Sequence, residues 1–158
     1  MTHRPNKTEE TEGIRNELKE SGYSKAVIDH YLNPRNLGRM KYYEGYGHIT
    51  STCGDSMWIW LRVRGGKIID IKFVSDVCLG AISAGSALTE MAKGRDVKEA
   101  LSIGRDNVLR ELGGLPDEFV HCASLAADTL KAAVKDYLRF AREPWKRAYQ
   151  RERPDSSN

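Results

Sequence analysis

No apolar run in this chain approaches the ~20 residues a helix needs to cross a bilayer, so no helical membrane span is expected. Neither sign of charge dominates. The chain has 25 Lys and Arg against 22 Asp and Glu, a net charge of +3. That bias is too small for the basic footprint of a nucleic-acid binder. The opening "MTHRPNKTEETEG" lacks an apolar secretory core and is too acidic for a typical transit peptide. A cytoplasmic location is therefore the expectation. Cysteine is scarce: only Cys53, Cys78 and Cys122 occur. An odd, low count without a secretory signal argues against a disulfide framework. No Cys-x-x-Cys is present, and the gaps of 25 and 44 residues match no local zinc-knuckle pattern. No internal repeat is found.

What is present fits one ordinary domain with tails, 158 residues in all. A chain of that length buries about two-thirds of its unfolded surface. Hydrophobic residues make up 40% and charged residues 30%, a soluble globular profile.

Residues 1–22 are hydrophilic and read as a mobile arm or a short surface helix. In "YSKAVIDHYLNPRN", Ser24 is an N-cap, Val27, Ile28, Tyr31 and Leu32 form a helical stripe, and Pro34 ends the helix. "KYYEGYGHITST" reads as a strand weakened by Gly45 and Gly47. "SMWIWLRV" alternates, with Met57, Ile59, Leu61 and Val63 on one face and Trp58, Trp60, Arg62 and Arg64 on the other. Trp60 is expected to face outward. Gly65-Gly66 makes a hairpin turn. "KIIDIKFV" returns with Ile69, Ile71 and Phe73 on the apolar face.

The remainder is helical: "CLGAISAGSALTEMAKG", a short segment from Asp96, "RDNVLRELGG", and "ASLAADTLKAAVKDYLRFA". The last carries Leu130, Val134, Tyr137, Leu138 and Ala141 inward, with Lys131, Lys135 and Asp136 outward. Strands followed by helices predict an α+β fold, a three-stranded antiparallel sheet with helices on its apolar face. After Pro144 the tail is basic and then polar.

Each cysteine lies at a junction between elements. Cys53 is in the turn joining the first two strands, Cys78 follows the third strand, and Cys122 opens the last long helix. Two thiols at helix N-termini are expected to have depressed pKa values. If the chain is extended at Gly54, Cys53 and Asp55 leave on the same face. His121 adjoins Cys122. Three Cys, one Asp and one His at element ends suit an iron–sulfur cluster or Zn²⁺. The alternative for any single cysteine is burial as a small hydrophobe.

The phrases "YSKAVIDHYLNPRNLG", "CGD", "DVCLGAISAGSALTE", "KGRDVKEAL" and "HCASLAADTLKAAVKDY" occur in that order. From Tyr23 to Phe140 the chain resembles the IscU/NifU-type iron–sulfur cluster assembly scaffolds. The resemblance implies an IscU/SufE-like fold over residues 23–142, flanked by an arm (1–22) and a tail (143–158). It implies Cys53, Asp55, Cys78, His121 and Cys122 as ligands of a [2Fe–2S] cluster, with Zn²⁺ as an occupant of the same ligands. It implies a carrier rather than an enzyme, one that takes sulfur from a cysteine desulfurase and iron from a donor. An electron donor completes assembly, and the cluster passes to client apoproteins. Cys122 corresponds to a persulfide acceptor. Tyr23 corresponds to a tyrosine used in sulfur handling or in contact between two scaffold copies.

Two departures from the family pattern stand out. "LPDEF", Leu115 to Phe119, replaces a Leu-Pro-Pro-Val-Lys stretch, which makes recognition by the dedicated Hsp-type chaperone doubtful. The chain also lacks the insertion usual in the zinc-dependent SufU branch and keeps His121. A cluster scaffold is therefore preferred over a SufU-type sulfurtransferase, and both over a domain with purely structural zinc.

Overall fold

A computed structural model describes residues 6–145. Strands β1 (Gly45–Thr50), β2 (Ser56–Arg64) and β3 (Lys67–Ser75) form one antiparallel sheet in the order β1-β2-β3. Helices α1 (Lys7–Glu20) and α2 (Lys25–Leu32) precede the sheet. Helices α3 (Leu79–Ala92), α4 (Val97–Ala100), α5 (Arg105–Glu111) and α6 (Val120–Arg142) follow it. The expected α+β architecture is present. Among the described residues no helix is long and apolar enough to cross a membrane.

Alternation in β2 sends Met57, Ile59 and Leu61 into the core, each fully buried. In β3 the alternation breaks. Arg62 pairs with Asp70 and Val63 with Ile68, so Ile69 has no partner. This bulge turns Ile68 inward and leaves Ile69 exposed, contrary to the simple period-two expectation. On the opposite face Trp60 is buried, not outward, because Tyr46 packs against it with ring centroids 5.7 Å apart. Trp58 stacks on His48 at 4.5 Å.

α6 lies directly on β1. A Cβ at Gly45 would sit 2.6 Å from the Ala133 carbonyl oxygen, and one at Gly47 equally close to the Thr129 carbonyl and the Ala133 nitrogen. The glycines that weaken the strand as sequence thus allow backbone-to-backbone packing. Asp136 of α6 is not outward either. Its Oδ2 accepts from the Tyr46 N–H at 2.9 Å, and the side chain is 11% exposed. Ala141, assigned to the inner face, is exposed. The small residues of α3 let it settle on β3, where Gly85 abuts the Phe73 ring.

The hydrophilic N-terminal stretch forms α1, started by a reciprocal Asn6/Glu9 capping box, and buries none of its residues. α2 begins at the expected Ser24 cap, and its end is tied to α3. His30 is buried, with Nδ1 2.7 Å from Ser86 Oγ and 3.5 Å from the Arg35 guanidinium. Burial pushes the His30 pKa down, and the Arg35 charge adds to that. The folded state therefore holds His30 neutral, whereas the unfolded chain protonates it below ~6.5. Protons then favour the unfolded state, so stability is complete above that pH and declines as pH falls through it. Urea midpoints at pH 7, 6 and 5 should decrease in that order, with a shallower decline in His30→Gln.

Candidate metal centre

Three separate segments meet at one end of the sheet. The first is the β1–β2 turn. Ser51 C=O accepts from Gly54 N–H at 2.9 Å, and Ser51 N–H donates to Asp55 C=O at 2.7 Å. Gly54 has φ +89°, a left-handed conformation that disfavours a side chain. The chain is therefore not extended there. Cys53 is carried out into solvent, while Asp55 turns inward and is half-buried.

The second segment is the start of α3. Cys78 is its N-cap residue in extended conformation, and its side chain makes no capping bond. The thiol is half-buried. The third segment is the start of α6. A 3₁₀ turn over Asp117–Phe119 runs straight into that helix, which begins two residues before Cys122. Cys122 thus lies inside the first turn rather than opening it, and is fully buried. Gly80 is what admits it. A Cβ there would come within 2.9 Å of both Cys122 Sγ and the Phe119 ring.

Asp55, His121 and Cys122 each present a ligand atom, and these atoms all lie within 4.8 Å of one another. His121 Nε2 is 2.7 Å from Asp55 Oδ2 and 3.6 Å from Cys122 Sγ. A carboxylate only accepts, so the imidazole donates to Asp55. Cys78 stands close enough to Cys122 to raise that thiol's pKa by charge and by hydrogen bonding. The structure thus brings Asp55, His121, Cys122 and Cys78 together, and leaves Cys53 on the exposed turn beside them.

One electrostatic expectation fails. The helix terminus does not depress the Cys122 pKa. Burial pushes it up to about 12, and the negative charges of Cys78, Asp55 and Cys53 act in the same direction. Desolvation, the largest cause, outweighs a partial dipole charge. Without a cation, Cys122 is a neutral thiol. A bound metal cation would replace its proton.

Sequence reasoning missed the role of Phe119. Its side chain packs beside Gly80, the glycine that also faces Cys122 Sγ. Tyr23 packs against it in turn, ring centroids 6.5 Å apart, so Tyr23 stands one side chain away from the thiols. The signal was an apolar residue where the family pattern has lysine. Alkylation should report this wall. Iodoacetamide should label Cys53 of the folded, metal-free chain at least about ten times faster than Cys122, because attack needs an accessible thiolate. Phe119→Ala should narrow that ratio, as read by peptide mass spectrometry.

An α+β fold thus gathers thiols, a carboxylate and an imidazole from three segments at one end, the donor set of a candidate metal site. Residues 22–143 match the family model described as "NifU-like N terminal domain". The chain belongs to that family. It is 48% identical over 118 residues to "Iron-sulfur cluster assembly scaffold protein IscU 1" of Archaeoglobus fulgidus, covering 74% of this chain and 77% of that one. It is 42% identical over 120 residues to "Iron-sulfur cluster assembly scaffold protein IscU" of Azotobacter vinelandii, covering 73% and 93%. Among solved structures, the N-terminal NifU-like protein of Brucella abortus superposes with a TM-score of 0.61 at 16% identity, over 73% of this chain and 94% of that one.

Proposed function

We propose that this protein is a scaffold on which a [2Fe–2S] cluster is assembled and from which it is passed to client apoproteins. The observation that carries the reading is the meeting of Asp55, His121 and Cys122 within 4.8 Å, with Cys78 against Cys122, in a chain of this family. Thiolates with one nitrogen and one oxygen donor suit iron–sulfur chemistry and zinc better than hard cations. Permanent ferredoxin clusters use four Cys. Here three thiols are available, so the fourth position falls to Asp55 or His121, both of which bind ferric iron less strongly than thiolate. That weakness suits a cluster meant to leave.

The Asp55–His121 hydrogen bond sharpens the choice. Nε2 of His121 cannot ligate while it donates its proton to Asp55, whereas the carboxylate keeps Oδ1 free, so ligation through that nitrogen competes with a bond already made. Iron and sulfide are cargo on this reading. Iron comes from a donor, and sulfur from a cysteine desulfurase as persulfide. A thiolate attacks the outer sulfur of that persulfide, takes it, and releases the desulfurase thiolate. Reduction of each transferred sulfur to sulfide takes two electrons, supplied by iron passing from ferrous to ferric and by an external electron donor. Cys122 is the acceptor by position in the family pattern, but it is buried and protonated in the metal-free fold. A donor therefore reaches it only once a cation has displaced its proton and the wall at Phe119 has opened. Cys53 is the thiol met first.

Anaerobic reconstitution with a desulfurase, ferrous iron and cysteine tests the reading. Iron and acid-labile sulfide in equal amounts, with visible charge-transfer absorption, are expected. Zinc retained without sulfide, together with faster desulfurase turnover, would replace this reading with a sulfur relay.

A further inference from the structure

The β1–β2 turn that carries Cys53 and Asp55 and the loop that carries Cys78 are both short surface segments, and any common centre needs them held at a fixed separation. One residue joins them. The Asp76 carboxylate accepts from the Ser56 N–H at 2.8 Å, and Ser56 is the residue directly after Asp55. The Asp76 N–H returns to the Ser56 carbonyl at 3.3 Å. The Asp76 carbonyl accepts from the Cys78 N–H at 2.8 Å, which closes a γ-turn with Val77 at its apex. Val77 is 93% exposed, so no packing holds this loop from outside. Asp76 extends the β2–β3 pairing one step beyond Met57 and Ser75, using its side chain where the ladder has ended.

We propose that Asp76 is a positioning residue that latches the Cys78 loop to the Cys53–Asp55 turn and so sets the spacing of the metal ligands. The inference rests on the reading of Cys53, Asp55 and Cys78 as ligands of one centre. Asp76 is not itself a member of the Asp55–His121–Cys122 group. Its carboxylate acts through the backbone of Ser56 and its carbonyl through the backbone of Cys78. Outer partners of this kind are worth about 10- to 100-fold in metal affinity.

The test uses the full chain as wild type, Asp76→Ala and Asp76→Asn. Asn keeps an acceptor oxygen and loses the charge. Asp76 is exposed, so Asp76→Ala is expected to fold, and thermal melting of the metal-free forms checks this. Amide exchange at Ser56, followed by NMR without metal, reads the latch directly. It should be about tenfold faster in Asp76→Ala and near wild type in Asp76→Asn. Titration with Co²⁺, followed by thiolate-to-cobalt absorption, reads the ligand spacing. Affinity should drop about tenfold or more in Asp76→Ala, with altered d–d bands, and be largely restored in Asp76→Asn.

Ser56 exchange and Co²⁺ affinity within twofold of wild type in Asp76→Ala would overturn the proposal. So would an equal loss in both variants, which would assign the effect to charge. If wild type binds no Co²⁺ through thiolate, the metal reading fails, and the positioning role fails with it even where Ser56 exchange upholds the latch.

Discussion

Cys53→Ser, Cys78→Ser and Cys122→Ser are each expected to end stable cluster assembly, leaving less than about a tenth of the wild-type visible absorption after anaerobic reconstitution. The reason is the donor count. With one thiolate removed, only two remain to hold two irons, and the other two positions fall to Asp55 and His121 together. Those two groups are hydrogen-bonded to each other at 2.7 Å, so ligation through His121 Nε2 requires that bond to be lost. Serine does not substitute, because its hydroxyl stays protonated where a thiol ionises. Cys122→Ser should be the most severe, since its sulfur is fully buried and is the one thiol in the close group with Asp55 and His121. Asp55→Ala should act in the opposite sense. It removes the acceptor that holds the His121 Nε2–H, and frees the imidazole to stay on iron. Transfer to an apo-ferredoxin should then slow by about an order of magnitude. A normal cluster on Cys78→Ser would show that the ligands are misassigned.

The legibility of this site in the sequence was uneven, for physical reasons. The strand pair around Gly65-Gly66 and the helix opened by Ser24 were readable, because alternation and capping act within a few residues. The convergence of Asp55 with His121 was not readable from spacing, since the two are 66 positions apart and meet only through tertiary packing. It entered through family resemblance. The Ile69 bulge escaped because one unpaired residue leaves no mark on local composition. The helix terminus beside Cys122 suggested a reactive thiol. Burial reversed that, and burial is a property of what packs above it, Phe119 and Gly80, not of its neighbours in sequence. Asp136 looked like an outward charge and is instead a partner for the β1 backbone.

Gly47→Ala is the second substitution with a large expected effect, on stability rather than chemistry. By strand propensity alone, replacing glycine in β1 should help, because glycine forfeits backbone entropy on folding. The packing decides otherwise. The added methyl would lie 2.6 Å from the Thr129 carbonyl oxygen and 2.6 Å from the Ala133 nitrogen. Both are backbone atoms of the longest helix, so no rotamer change relieves the contact. α6 must lift from β1, and core residues Leu130, Ala133 and Val134 lift with it. Overpacking against backbone costs about 3 kcal/mol, far above the propensity gain of under about 1 kcal/mol. For a domain of this size that should lower Tm by roughly 10 °C, measured by calorimetry on the metal-free protein. The effect should also reach the site. His121 and Cys122 ride on the first turn of the same helix, so a displaced α6 moves them away from Asp55 on the β1–β2 turn. Gly47→Ala should therefore weaken Co²⁺ binding even at temperatures where the chain is fully folded. A variant with unchanged Tm and unchanged metal affinity would mean that the approach of α6 to β1 is looser than the distances here require.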